Sequence, residues 1–374
     1  MTVTTRWTPE EHVHAPRSHK ALEDLADLLR SAGFTGERVA RLLGASSPED
    51  LLRNSAMYAL WSHDREHDLV STMPGLLVQL FVRNGEVAEH LYLATVPAEL
   101  RRILESLGLA AVEDGRVTSQ VSLSPFGPLL LLSDPVFRCR TASGGKPAMV
   151  PDPDPVMPPH GSTLLLHRHL QPHGRRLLDL GCGSGALGLI SQAAEVSGVD
   201  VLPRAAAFSN LNAVLNRRPA GFRTGDYRSP LGPARSVDHL VFNAPGRAPG
   251  KDESEDPELF DPARLLREAA KNIVELLADG GLAQLLLIVA VPESRRDVAG
   301  LVRDRVPKLD RITGIRVTEA KDPSLGISAR AISRGHIPPG CLLVEDPVGA
   351  AALMTALRRR EIHEVRPVVL SIAT

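Results

Sequence analysis

The chain has 374 residues, 43% of them apolar, with 43 Lys+Arg against 44 Asp+Glu and three cysteines. At roughly 150 residues per domain this length predicts two domains, and a net charge of −1 argues against a protein whose affinity rests on neutralising nucleic-acid phosphates. Cys139, Cys182 and Cys341 lie far apart, which excludes a zinc ribbon, a CxxC pair and a disulfide ladder and fits a reducing compartment.

Residues 1–17 read as a disordered tail with no apolar signal-peptide core. His12, His14 and His19 fall in or beside it and read as tail residues, so no metal site is expected. From His19 to about Leu107 the spacing is helical. LEDLADLLRSAGF stops at Gly33, GERVARLLGA at Gly44 and VPAELRRILESLG at Gly108, with LLVQLFVRNG between the last two. LAAVEDGRVTSQVSLSPFG then alternates around an Asp-Gly turn, a hairpin signature. Helices followed by a hairpin resemble a winged helix. The helix at 97–107 carries only Arg101 and Arg102 beside Glu99 and Glu105, which favours a substrate-cover or docking role over DNA binding.

PAMVPDPDPVMPP holds six prolines and reads as a stiff connector. The predicted organisation is an N-terminal helical, winged-helix-like domain at 1–146, a linker at 147–159 and an α/β domain at 160–374. In that last region RRLLDLGCG, VSGVDV, GFRTGDY, VDHLVFNAPG and LAQLLLIVAV read as strands. SGALGLISQAAE, PRAAAFSNLNAVLNR and PARLLREAAKNIVELLADGG read as helices between them, the last closed by Gly280 and Gly281. Such alternation predicts a doubly wound, Rossmann-like sheet, with ligands outside the carboxyl ends of its strands. A final helix and the strand RPVVLSIAT either extend the sheet or meet a second subunit, so a homodimer is an expectation. The apolar run 285–291 is too short for the roughly 20 residues that span a bilayer, and a cytoplasmic protein without a membrane partner is expected.

LLDLGCGSGALGL is the strongest local signal. Gly181, Gly183 and Gly185 allow a tight turn and close approach of the backbone to a ligand, with Cys182 packed inside the turn. Asp179, two residues before the first glycine, repels a pyrophosphate but suits an α-ammonium group. Asp200, followed by Val201, ends the next strand, where an acid can accept ribose hydroxyls. Asp226 ends the third and can meet an adenine amino group. Three acids at successive strand ends describe a site for a nucleoside that carries an amine and no phosphate, such as S-adenosylmethionine.

On these residues the region from about 155 to 295 resembles the class I S-adenosylmethionine-dependent methyltransferases. More narrowly, it is similar to the N-methyltransferases of release-factor glutamine and ribosomal-RNA guanine. PPHGSTLLLHRHL resembles the family's segment before the first strand, VDVLPRAAAFSNLNAVLN its acid-then-helix pattern including Asn212-Ala213, and VFNAPG the slot of its Asn-Pro-Pro-Tyr. The resemblance implies that the Asn243 side chain and the Ala244 carbonyl accept hydrogen bonds from a planar amino group, with Pro245 completing the catalytic set. Gly246 stands where the family has an aromatic residue, so the stacking face is missing.

The segment KDESEDPELFDPARL, with Asp252, Glu253, Glu255, Asp256, Glu258 and Asp261, reads either as carboxylates at a helix start or as an acidic rim that attracts a cation. From the second reading comes the leading expectation: N-methylation of a small cationic guanidino or amino compound such as arginine. His160, Asp256 and Glu258 are the candidate substrate residues. His336 in RGHIPPG reads as a loop residue. The alternatives are an N-methyltransferase of a protein glutamine or an rRNA base, and a non-catalytic, cofactor-sensing DNA-binding protein.

Overall fold

The computed structural model describes residues 6–139, 144, 147–150, 154–244, 261–320, 322, 324–334 and 347–374. Pro245, Gly246, the acidic stretch at 252–258 with Asp256 and Glu258, His336 and Cys341 lie outside the described residues. Contacts divide the chain into two compact units. The first joins the residues up to His160 with 183–190 and 202–223; the second joins 161–182, 191–201 and those from Thr224 onward.

In chain order the helices and strands up to residue 149 are α1 (Pro16–Ser31), α2 (Gly36–Leu43), α3 (Pro48–Arg53), α4 (Ser55–Trp61), α5 (Glu66–Val70), α6 (Met73–Phe81), β1 (Glu86–Ala88), α7 (Glu89–Thr95), α8 (Ala98–Ser106), β2 (Ala110–Glu113), β3 (Arg116–Ser119), β4 (Ser122–Phe126), β5 (Leu129–Ser133), β6 (Phe137–Cys139) and β7 (Pro147–Met149). Then follow α9 (Gly161–His169), β8 (Arg176–Leu180), α10 (Ala186–Ile190), β9 (Glu195–Asp200), α11 (Pro203–Leu215), β10 (Ala220–Thr224) and β11 (Val237–Asn243). The last are α12 (Ala263–Leu276), β12 (Leu277–Pro292), α13 (Val298–Arg303), β13 (Gly314–Glu319), α14 (Ala329–Arg334), α15 (Pro347–Arg359) and β14 (Ile362–Ala373).

The first unit is mainly helical toward its N-terminus. α1 opens with Pro16 in its first turn and buries Leu22, Leu25 and Leu29 on one face. Thr35 caps α2 by accepting the Arg38 N–H, and Gly44 closes that helix in the left-handed region. β2 and β3 pair antiparallel across Asp114 and Gly115, whose φ values of 50° and 70° are those of a type I′ hairpin turn. β1 joins them as β1-β3-β2, and β4 pairs with β5 in a second hairpin. Phe208, Leu211 and Leu215 of α11 belong to this unit's core together with α1, α6 and α8.

The tail is not disordered from residue 6 onward, contrary to the expectation for 1–17. Trp7 is buried, its indole N–H donates to the Leu107 carbonyl at 2.7 Å and its ring stacks on His12. His19 bonds the Val13 carbonyl at 2.6 Å. A single tryptophan side chain supplies enough apolar area to hold a short segment that composition marks as loose. Residues around the Pro-rich connector also pack on this unit: buried Val156 exchanges two hydrogen bonds with Asp134.

In the second unit six strands lie in the order β9-β8-β11-β12-β14-β13. β9, β8, β11 and β12 are parallel, while β14 runs antiparallel between β12 and β13. The C-terminal strand therefore extends the sheet. Its core joins Leu180, Leu240, Phe242, Leu285 and Leu370 with Leu266 and Ile273 of α12.

Two predicted elements differ. α12 ends at Leu276, before Gly280 and Gly281, because the chain enters β12 at once. The glycines sit where the β11–β12 register slips, Val237 opposite Leu277 but His239 opposite Leu282, and Gly280 takes φ 77° there. The helix after the glycine turn is shorter than predicted, ending at Ile190.

Candidate active site

Asp179 is the fourth residue of β8, with Gly198 of β9 and Val241 of β11 beside it in the register. It is only 2% exposed, so its charge requires compensation by hydrogen bonds or an opposite charge. The chain then turns: the Gly181 and Cys182 N–H groups both donate to the Val199 carbonyl, at 2.8 and 3.1 Å. Gly181 has φ 63°, and a Cβ there would press on the Phe242 ring at 3.1 Å. Cys182 is buried, as expected of a packed side chain.

Gly183 and Gly185 belong to the first unit. Gly185 has φ 78°, and a Cβ on it would meet the Ser209 side chain at 3.1 Å. Gly183 has φ 54° with nothing within 4 Å of a Cβ, so here glycine is required by the backbone and not by crowding.

Asp200 closes β9, and its carbonyl accepts the Gly225 N–H at 2.8 Å. Val201 is 55% exposed and presents an apolar surface next to the acid. Asp226 lies two residues beyond β10, not at its last residue. Both its oxygens are engaged by Arg228: Oδ1 accepts the Arg228 N–H at 2.9 Å and Oδ1 and Oδ2 each accept Nε at 2.9 Å, with a further contact from Nη2. Hydrogen bonds from that guanidinium hold the Asp226 carboxyl below the usual range. The structure therefore gives Asp226 an intramolecular partner where an adenine amino group was expected.

Asn243 is the last residue of β11, and its Nδ2 donates to Ser162 Oγ at 2.8 Å. That bond uses an amide N–H and leaves the carbonyl oxygen to accept. Ser162 is buried in the first turn of α9. Ala244 is buried, and its N–H continues the β11–β12 ladder to the Leu286 carbonyl at 3.2 Å. His160, in the first unit, keeps part of its surface. The protein atoms packed round its ring push its pKa down to about 4, so it is a neutral imidazole at pH 7.

Three further side chains, those of Ser162, Ser209 and Asn212, bond to residues of the predicted site. Ser209 Oγ donates to the Gly183 carbonyl and Asn212 Nδ2 to the Ser184 carbonyl, both at 2.9 Å. The signal available was SNLNAVLN, a polar stripe on one face of an otherwise apolar helix. Among the described residues no group of three or more His, Cys, Asp or Glu could hold a metal ion, and no helix is long and apolar enough to cross a membrane.

The family model of the methyltransferase small domain matches residues 159–286. A ribosomal protein L11 methyltransferase of Ralstonia nicotianae is 32% identical over 146 residues, 38% of this chain and 41% of that protein. One of Parasynechococcus marenigrum is 30% identical over 146 residues, 38% of this chain and 42% of its own length. A solved geranyl diphosphate methyltransferase in complex with SAM is 14% identical at a TM-score of 0.36, over 57% of this chain and 85% of that one.

Within the second unit S-adenosylmethionine fits the residues present: an exposed apolar residue, Val201, next to Asp200 in the chain, and a buried carboxylate at Asp179. The matched segment contains every described strand-end residue discussed above. The chain spans about two fifths of the length of the curated relatives it matches, and its residues 159–286 are the part similar to the methyltransferase small domain.

Proposed function

We propose that this chain is an S-adenosylmethionine-dependent N-methyltransferase whose acceptor is a nitrogen of a protein. The observation that carries the reading is Asn243, placed at the end of β11 and turned by Ser162 so that its amide oxygen can accept. The bound cofactor supplies an electrophilic sulfonium methyl. The chain supplies orientation. Asn243 Oδ1 and the Ala244 carbonyl accept the N–H groups of the acceptor, which aims the nitrogen lone pair along the axis of displacement. Asp179 holds the cofactor's ammonium group, Asp200 its ribose hydroxyls, and Val201 lies against its base. Pro245 and neutral His160 complete the proposed set on the sequence alone.

A protein acceptor replaces free arginine as the preferred substrate class. Both curated relatives are named for methylating ribosomal protein L11. The acidic stretch that suggested a guanidinium lies outside the described residues, except Asp261. There Oδ1 accepts the Ala263 N–H at 2.9 Å at the start of α12 and Oδ2 meets Arg305 at 3.4 Å, the behaviour of a helix-terminal acid. An rRNA base is less well supported, since Gly246 offers no stacking face.

The order α6-β1-α7-α8-β2-β3 supports a winged-helix reading of 73–119, which we propose as an acceptor-docking module. On α8 Arg101 donates to the Leu93 and Val96 carbonyls, which turns that cation onto the main chain, and exposed Arg102 reaches the Ala98 carbonyl at 3.4 Å. That favours a protein partner over phosphate.

The test is methyl transfer from labelled S-adenosylmethionine to isolated ribosomal proteins and, separately, to arginine and other guanidines. Label in a protein band is the expected result. Label in the small guanidines alone would restore the earlier expectation, and no transfer to either class together with no cofactor binding would end the methyltransferase reading.

A further inference from the structure

α11 and its C-cap place Ser209, Asn212 and Asn216 at i, i+3 and i+7. Asn212 has no exposed surface. Its Oδ1 accepts the Leu132 N–H at 2.8 Å, and its Nδ2 donates to the Leu132 and Ser184 carbonyls, each at 2.9 Å. One amide thus pairs with a residue of β5 as a neighbouring strand would, and spends its second N–H on the glycine turn. Asn216 makes the same two-bond pairing with Leu130, at 2.9 and 2.7 Å. Its other amide bond goes to the Asn212 carbonyl and not to the turn.

A turn of glycines at positive φ has few side chains to set its shape. Here two successive carbonyls, those of Gly183 and Ser184, are held by α11 through Ser209 and Asn212. In a trans peptide the C=O and the following N–H point in opposite directions. Anchoring these carbonyls on α11 therefore turns the Ser184 and Gly185 N–H groups away from that helix. We propose that Asn212 is a positioning residue for the cofactor: it fixes the peptide planes of the turn and ties them to strand β5 of the N-terminal region. This rests on the reading that the turn binds S-adenosylmethionine.

The experiment compares the full chain with Asn212→Leu and Asn216→Leu by calorimetric titration of S-adenosylmethionine, alongside thermal melts. Both variants lose their hold on β5 and melt earlier. Asn212→Leu alone loses the turn, and is expected to raise Kd by about tenfold or more, with Asn216→Leu within about twofold of the parent. Equal Kd values for the two variants would overturn the role.

Should Asn212→Leu not fold, hydrogen exchange of the unaltered chain decides. Saturating S-adenosylmethionine is expected to slow exchange in peptides covering 129–133, because a coupling between turn and strand works in both directions. Unchanged exchange there would overturn the proposal. A parent chain that does not bind S-adenosylmethionine removes the cofactor reading itself, and the positioning role with it. A parent chain that binds it no better than Asn212→Leu removes the positioning role only.

Discussion

Two asparagines, one on α11 and one at the end of β11, carry the same amide in opposite situations. Asn212 is sealed from solvent and uses its oxygen and both N–H groups on Leu132 and Ser184. Asn243 is half-buried and gives one N–H to Ser162. The first has nothing further to offer a ligand and acts as framework. The second, among the described residues, donates to Ser162, and it is the residue proposed above to accept from the substrate.

The same contrast runs through the surroundings. Round α11, polar groups are buried and mutually satisfied. Asp134, 2% exposed, accepts from the Arg204 guanidinium, from Arg6 and from the Val156 N–H. Burial raises its pKa, but those hydrogen bonds outweigh it and hold the carboxyl below the usual range. Asp226, two residues beyond β10, is instead matched by an exposed arginine.

The contrast can be broken most severely at Asp134. Asp134→Ala leaves Arg204, itself largely buried, without its carboxylate. It is expected to cost about 3–5 kcal/mol, read by urea denaturation. A loss below about 1 kcal/mol, the range of an exposed pair, would erase the distinction between framework and site. Next is Asn243→Ala, expected to lower methyl transfer on the order of 100-fold while leaving the melting temperature close to that of the parent chain. A parallel loss of stability would make Asn243 framework like Asn212.

The third prediction concerns pH. Burial, opposed by the hydrogen bond with Gln284 and reinforced by His173, lowers the His239 pKa from 6.5 to about 4, and burial does the same to His160. The unfolded chain then binds more protons between these values. Stability is fully present above pH 6.5 and declines as the pH falls toward 4, by on the order of 3 kcal/mol for buried His239 and less for the partly exposed His160. Denaturation midpoints at a series of pH values check this, and His239→Leu should flatten the slope.

Ser162→Ala releases the Asn243 amide without removing it, so a loss of roughly threefold to tenfold in transfer is expected, with the melting temperature nearly unchanged. The smallest effect is that of Arg228→Ala. Its side chain is more than half exposed, and no measurable change in melting temperature is expected. A gain in cofactor affinity in that variant would show that Arg228 competes for Asp226.

Much of this molecule was legible in one dimension because the physics is local. Gly33, Gly44 and Gly108 stand at positive φ just beyond their helices, and Asp114-Gly115 makes the predicted hairpin turn. Gly181, Gly183 and Gly185 all take positive φ in the turn after β8. The alternation of strands and helices likewise predicted a parallel sheet with Asp179, Asp200 and Asn243 at or near strand ends. Backbone sterics and side-chain period act over a few residues, so composition within a short window determines them.

What only the tertiary structure decided are pairings between residues far apart in the chain. Trp7 meets Leu107, Asn212 meets Leu132 and Asn243 meets Ser162, at separations of 100, 80 and 81 residues. No local rule names such partners. A tryptophan in a polar tail or an asparagine in an apolar helix signals that some partner exists, because a buried amide left unpaired is costly. Which group answers is settled when the elements pack.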